Sequence, residues 1–237
     1  MKLNEIFELL AAGELSQDAL GGDKYRDMNP RDYPRVGQAV SIALNALHKR
    51  FFLRDGEVIL VLDPNIQTYV LSSDFAVSNT QSNEPVKYIL DSDFSFEDGV
   101  LKVESVHDDD DKPVPLNDLS KAGSIRTLDY RTLLIPPVTE TGLTRRVTYR
   151  KDHRKLDSRD WDNPEQSEIE IPSSHLEALL YHTASRLLTP LGPDANGINP
   201  GMQYFKRYEQ AARMLEQQGM QIDRSYESGK FRNRGWI

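Results

Sequence analysis

The 237-residue chain contains no cysteine, which excludes a disulfide frame and any thiolate metal site. Its stability must come from packing. It lacks the ~18 consecutive apolar residues of a membrane span. Met1-Lys2-Leu3-Asn4-Glu5 likewise lacks the apolar core and small-residue cleavage site of a signal peptide, so synthesis in a cytosol and no membrane partner are expected. An excess of basic charge is missing too. With 29 basic and 37 acidic residues the formal net charge is −8, whereas a general grip on nucleic acid needs a basic surface to displace counterions.

Signatures of catalysis are also absent: there is no phosphate-loop motif, no G-x-G-x-x-G and no G-x-S-x-G elbow. The five histidines, His48, His107, His153, His175 and His182, include no H-x-x-x-H pair. His175 and His182 share one expected helix but stand seven residues apart, ~10 Å along its axis, too far for a shared ion. No metal, no cofactor and no enzymatic activity are expected. The run Asp108-Asp109-Asp110-Asp111-Lys112 lacks the spaced ligands, glycine and closing glutamate of a calcium loop, and reads as an exposed hairpin turn. Asp157, Asp160 and Asp162 beside Trp161 have the residue types for paired-carboxylate hydrolysis. With Arg154, Lys155 and Arg159 around them they read as a charged surface loop.

What is present centres on residues 168–219. Glu168-Ile169-Glu170-Ile171-Pro172 alternates like a short strand stopped by proline. Ser174 and Glu177 have capping-box spacing, and Leu176, Leu179, Leu180, Ala184, Leu187 and Leu188 form one helical stripe. Pro190-Leu191-Gly192-Pro193 ends that helix. A second helix opens at Asn199-Pro200, turns Phe205, Tyr208, Ala211, Ala212 and Leu215 inward, and stops at Gly219. The core expected for this hairpin is Leu176, Leu179, Leu180, Leu187, Phe205, Tyr208 and Leu215.

Upstream, Leu3, Ile6, Phe7, Leu9 and Leu10 mark an N-terminal helix ending near Gly13. Val36, Ala39, Val40, Ala43, Leu44 and Leu47 give the clearest helical stripe in the chain. From Phe51 the period becomes two. Expected strands are 57–62 and 67–71 around Asp63-Pro64-Asn65, 86–90, 100–106 pairing with 113–116, then 125–135 and 144–150. Phe94-Ser95-Phe96 is a further short apolar stretch. The fold class is α+β: helical N- and C-terminal elements around a central antiparallel β sandwich or small barrel. The expected regions are 1–50 helical, 51–171 β-rich, 172–220 the helix hairpin packing with the N-terminal helices, and 221–237 an extended tail.

The tail interleaves Arg224, Lys230, Arg232 and Arg234 with Tyr226, Phe231, Trp236 and the terminal Ile237. Exposed aromatics contribute little to a solvated, disordered end. A docking segment that orders on a partner is one reading and a frayed terminus the other.

Several segments together resemble a known family. Val147-Thr148-Tyr149-Arg150, then Glu170-Ile171-Pro172, then the helix with Ala184-Ser185-Arg186-Leu187, then a helix with Tyr204, Tyr208 and Glu209, resemble the C-terminal half of head-to-tail adaptor (connector) proteins of tailed bacteriophages. Val103-Glu104-Ser105-Val106, Pro115-Leu116-Asn117-Asp118 and Leu133-Leu134-Ile135-Pro136 extend the similarity over Val100 to Gln218. The resemblance implies a structural virion protein made in the host cytoplasm. It would form a homo-oligomeric ring, commonly of twelve copies, between the portal protein and the tail or nozzle proteins. DNA would pass through its lumen without specific binding, and the C-terminal segment would reach the portal. The large β part departs from the family's mainly helical body. It leaves open a tail-tube or tail-completion ring, and, in another class, a monomeric carbohydrate-binding or hydrolase β module.

Overall fold

The computed structural model describes residues 1–16, 28–91, 95–192, 197 and 199–219. The chain is mixed α+β, with antiparallel sheets and, among the described residues, five α-helices. Its described residues divide into two compact units: Met1–Leu53 with those between His153 and Gly219, and Arg54–Asp152. Residues 153–171, grouped with the β region on sequence, therefore belong with the helices. Leu156 and Ile169 supply the reason, since both are buried in the helical core.

The helical unit holds α1 (Leu3–Ala12), α2 (Tyr33–Arg50), α3 (Ser158–Asp162), α4 (Leu176–Leu188) and α5 (Pro200–Gln217). All six residues of the α2 stripe are buried, as the period requires. In α1, Leu9 departs from the expected inward set and is exposed. α4 packs against both α2 and α5, so from His182 to Ser185 it is buried in consecutive positions. Asn199 caps α5, accepting a hydrogen bond from the Met202 amide at 3.3 Å, with Pro200 at the first position.

Two local expectations fail at the entry to α4. Residues 168–172 form no strand, only an isolated bridge between Glu168 and Lys2. The ladder cannot grow, because the chain enters α1 at Leu3 and Pro172 closes the other side. The Ser174–Glu177 capping box does not form either. Pro172 starts a 3-10 turn over Ser173–His175, which gives Ser174 helical rather than capping backbone. Ser174 Oγ lies 3.0 Å from His175 Nδ1, and Glu177 accepts from the Tyr181 hydroxyl at 2.9 Å.

The β unit contains β1 (Asp55–Val61), β2 (Thr68–Val70), β3 (Ile89–Leu90), β4 (Val100–His107), β5 (Pro113–Val114), β6 (Arg126–Thr127), β7 (Thr132–Leu134) and β8 (Thr144–Lys151). Five strands are ordered β3-β1-β8-β4-β5 and three β2-β7-β6; neither sheet closes. Both contribute to one hydrophobic core around Leu60, Tyr69, Ile89, Leu133 and Val147. The β4–β5 hairpin pairs Val106 with Val114 across the acidic turn, as expected. β1 and β2, however, enter different sheets. At Asp63 the chain leaves β1, the amide there donating to the Tyr69 hydroxyl at 2.8 Å instead of continuing a ladder. The strand expected over 86–90 is reduced to Ile89–Leu90. Phe94, in the apolar stretch before β4, lies outside the described residues.

Candidate functional site

The helix hairpin is the feature the functional reading depends on. Leu179, Leu187, Tyr208 and Leu215 are buried in the helical core. Leu176 and Leu180 are only partly buried against it. Phe205 is 42% exposed and does not belong to the core. α5 meets the rest of the unit along a narrow stripe of Gly201, Tyr208, Ala212 and Leu215. Phe205 lies on the flank of that stripe, its ring 5.9 Å from Tyr208 and 6.4 Å from His182. Met202 and Met214 are exposed as well.

Close approach of α4 and α5 depends on Gly201, where a Cβ would overlap the backbone nitrogen and Oγ1 of Thr189. Polar ties fix the ends. Arg50 at the close of α2 donates to Glu216 at 2.7 Å and Glu209 at 3.0 Å, with its guanidinium 5.8 Å from the Tyr208 ring centre. Arg35 donates to the Leu187 carbonyl at 3.1 Å, satisfying an acceptor left open at the end of α4.

Asp160 differs from its expected surface setting. It is only 7% exposed. Its carboxylate accepts from two Arg154 nitrogens at 3.0 and 2.6 Å, from Ser167 Oγ at 2.6 Å and from the Asp157 amide at 2.8 Å. Burial pushes its pKa up, but Arg154, Ser167 and the Asp157 amide together hold it down at about 2. Four donors occupy the acceptor positions of one carboxylate, so it acts as a cross-link joining residues 154–167. Asp157 caps α3 and pairs with Arg159 at 2.8 Å, while Asp162 is exposed at the helix end. Trp161 packs onto α2 where Gly37 leaves room: a Cβ there would lie 2.7 Å from its ring. Sequence pattern alone missed this buried pair; the nearby Trp161 was the only hint that the segment docks.

His48, His153, His175 and His182 are buried, whereas His107, at the end of β4, is only partly so. His175 packs edge-on to Phe51 at 4.7 Å, and His182 edge-on to Tyr208 at 4.7 Å. Burial lowers the pKa of each; for His182 Arg186 lowers it further, while Glu209 opposes. Among the described residues, no group of three or more His, Cys, Asp and Glu is placed to hold a metal ion.

In the acidic turn, Asp109 accepts from the Thr144 amide and hydroxyl, and Asp111 pairs with Arg146, so the turn is fastened to the start of β8. The turn stays on the surface, with Asp109, Asp110 and Asp111 exposed. The proposed docking residues Arg224, Tyr226, Lys230, Phe231, Arg232, Arg234, Trp236 and Ile237 lie outside the described residues. Among the described residues, no helix is long and apolar enough to cross a membrane. No protein-family profile matches this chain, and no curated protein matches it.

Proposed function

We propose that this chain is a non-enzymatic head-to-tail adaptor of a tailed bacteriophage virion, assembling as a ring that bridges portal and tail. The observation that carries the reading is the order Val147–Arg150, Ile171-Pro172, Ala184-Ser185-Arg186-Leu187 and the aromatic-acidic helix after it. In the fold these segments are β8, the turn into α4, α4 itself and α5. Within α4, Ala184, Ser185 and Leu187 are buried and Arg186 faces out, a division of roles that suits a bundle helix with a polar outer edge. The β unit is taken as a small sandwich of two open sheets sharing one core. A net charge of −8 suits a channel through which DNA slides, because acidic walls do not hold phosphate. The exposed Met202, Phe205 and Met214 on α5 offer apolar surface for neighbouring proteins. The basic-aromatic segment 224–237 is the portal-reaching element of this reading.

The test is native mass of the full chain mixed with a candidate portal ring, against each alone. A complex with one copy per portal subunit is expected, and deletion of residues 224–237 should weaken it. A chain that never joins the portal overturns the adaptor reading.

A further inference from the structure

The chain has five histidines, and the fold divides them unevenly. His48, His153, His175 and His182 are buried in the helical unit, whereas the β unit holds only His107, partly exposed at the end of β4.

Two of the buried four sit at the seams of α4. His175 ends the 3-10 turn that runs into α4, and its ring meets Phe51, just past α2, edge-on. Ser174 Oγ lies against its Nδ1, while Nε2 is buried and meets no hydrogen-bond partner among the described residues. His182, further along α4, stands against Tyr208 and Phe205 of α5, and its buried Nδ1 likewise meets no partner there. A neutral imidazole fits such a place as a flat ring with one hydrogen bond forgone. An imidazolium does not, because both nitrogens become donors and at each site at least one of them is buried without an acceptor.

The surrounding charges do not offset that cost. A cation at His175 would stand at the N-terminus of α4, the positive end of the helix dipole, and Arg50 already lies over the Phe51 ring at 6.0 Å. Around His182, Arg186 of α4 opposes a second positive charge; Glu209 of α5 favours it but is held by Arg50 at 3.0 Å. Tyr208, pushed up by burial, stays neutral. His48 and His153 lie 5.6 Å apart, so protons on both would set like charges side by side.

We propose that the helical unit is an acid-sensitive module, in which protonation of His175 and His182 loosens α4 from Phe51 and from α5 while the β unit keeps its fold. Burial holds both histidines below their ordinary range, so opening takes up protons and falling pH favours the opened form. The carboxylates of the unit do not act in the same direction and window. Asp160 is held at about 2, Arg50 keeps Glu216 below the usual range, and Glu14, pushed up by burial, favours the folded unit as it protonates. α5 is held along the narrow stripe of Gly201, Tyr208, Ala212 and Leu215, so loosening this seam turns a sealed contact into apolar surface accessible only in acid.

Hydrogen exchange of the full chain, read by mass spectrometry at pH 7, 6 and 5 and corrected for the intrinsic rate, follows the opening of each element. Peptides from α4 and α5 are expected to lose protection by on the order of tenfold between pH 7 and 5, while β1, β4 and β8 keep theirs. The double variant His175→Phe/His182→Phe should hold its protection at pH 5. If that variant fails to fold at pH 7, the imidazole proton resonances of the wild-type chain decide, since both buried rings must take up protons over the range in which α4 loses protection. Constant protection of α4, an equal loss in both units, a double variant as acid-sensitive as wild type, or histidines that titrate outside that range overturns the proposal.

Discussion

Replacing Asp160 with asparagine should destabilise the helical unit in a way only a buried, ionised carboxylate can. The change preserves shape but removes the charge that holds Arg154 and replaces one acceptor oxygen with a donor facing other donors. Four hydrogen bonds converge on this carboxylate, two of them from Arg154. Breaking a buried pair costs about 3–5 kcal/mol, and because Arg154 is half exposed the lower end applies. Linkage gives a similar figure: a carboxyl lowered from 3.8 to about 2 contributes about 2.4 kcal/mol at neutral pH. The folded pKa lies below the unfolded one, so this stability is fully present above about pH 4 and is lost as pH falls towards about 2. Urea unfolding of the full chain, followed by helical ellipticity at a series of pH values, measures it. The gap between wild type and Asp160→Asn should be about 3 kcal/mol at pH 7 and under about 1 at pH 2. Equal stability at pH 7, or a gap that does not change with pH, would refute the buried-pair argument.

Gly201→Ala should cost about 2–3 kcal/mol, since the added methyl meets the Thr189 backbone, which cannot swing away. Thermal unfolding within the error of wild type would show that α4 and α5 can separate freely. Leu179→Asp, at a fully buried position, should unfold the helical unit, whereas Phe205→Asp should change stability by less than about 1 kcal/mol. Equal effects in a melting comparison would mean the buried face of α5 is misassigned. His175 and His182 are held below the usual histidine range, so both favour the fold while neutral. Stability should therefore decline as pH drops below about 6.5, and His182→Phe should flatten that decline. An unchanged slope in chemical unfolding from pH 7 to 5 would exclude His182 as a contributor.

Some of this architecture was legible in the sequence because its causes are local. The α2 stripe repeats at helical period and every member is buried. Asn199-Pro200 is a cap and first turn made by neighbouring residues. The acidic turn joins β4 and β5 because turn chemistry and alternation coincide over a few residues. Where the cause was distant, local reading failed. Nothing near Asp160 in sequence says that Arg154 and Ser167 will close around it. Phe205 has the period of a core residue, yet the narrow contact along α5 leaves it on the flank. Asp63-Pro64-Asn65 has the composition of a hairpin turn, but β1 found β8 and β2 found β7.

By itself, then, the sequence determined four of the five described α-helices, the strand-rich middle, the absence of thiol chemistry and the acidic balance, all set by composition or by spacing within a few residues. The tertiary structure alone decided which strands share a sheet, that residues 153–171 join the helical unit, and that Asp160 is buried. Each of these depends on pairs of residues far apart along the chain, whose meeting is selected by the packing of the whole and leaves no periodic trace in either segment.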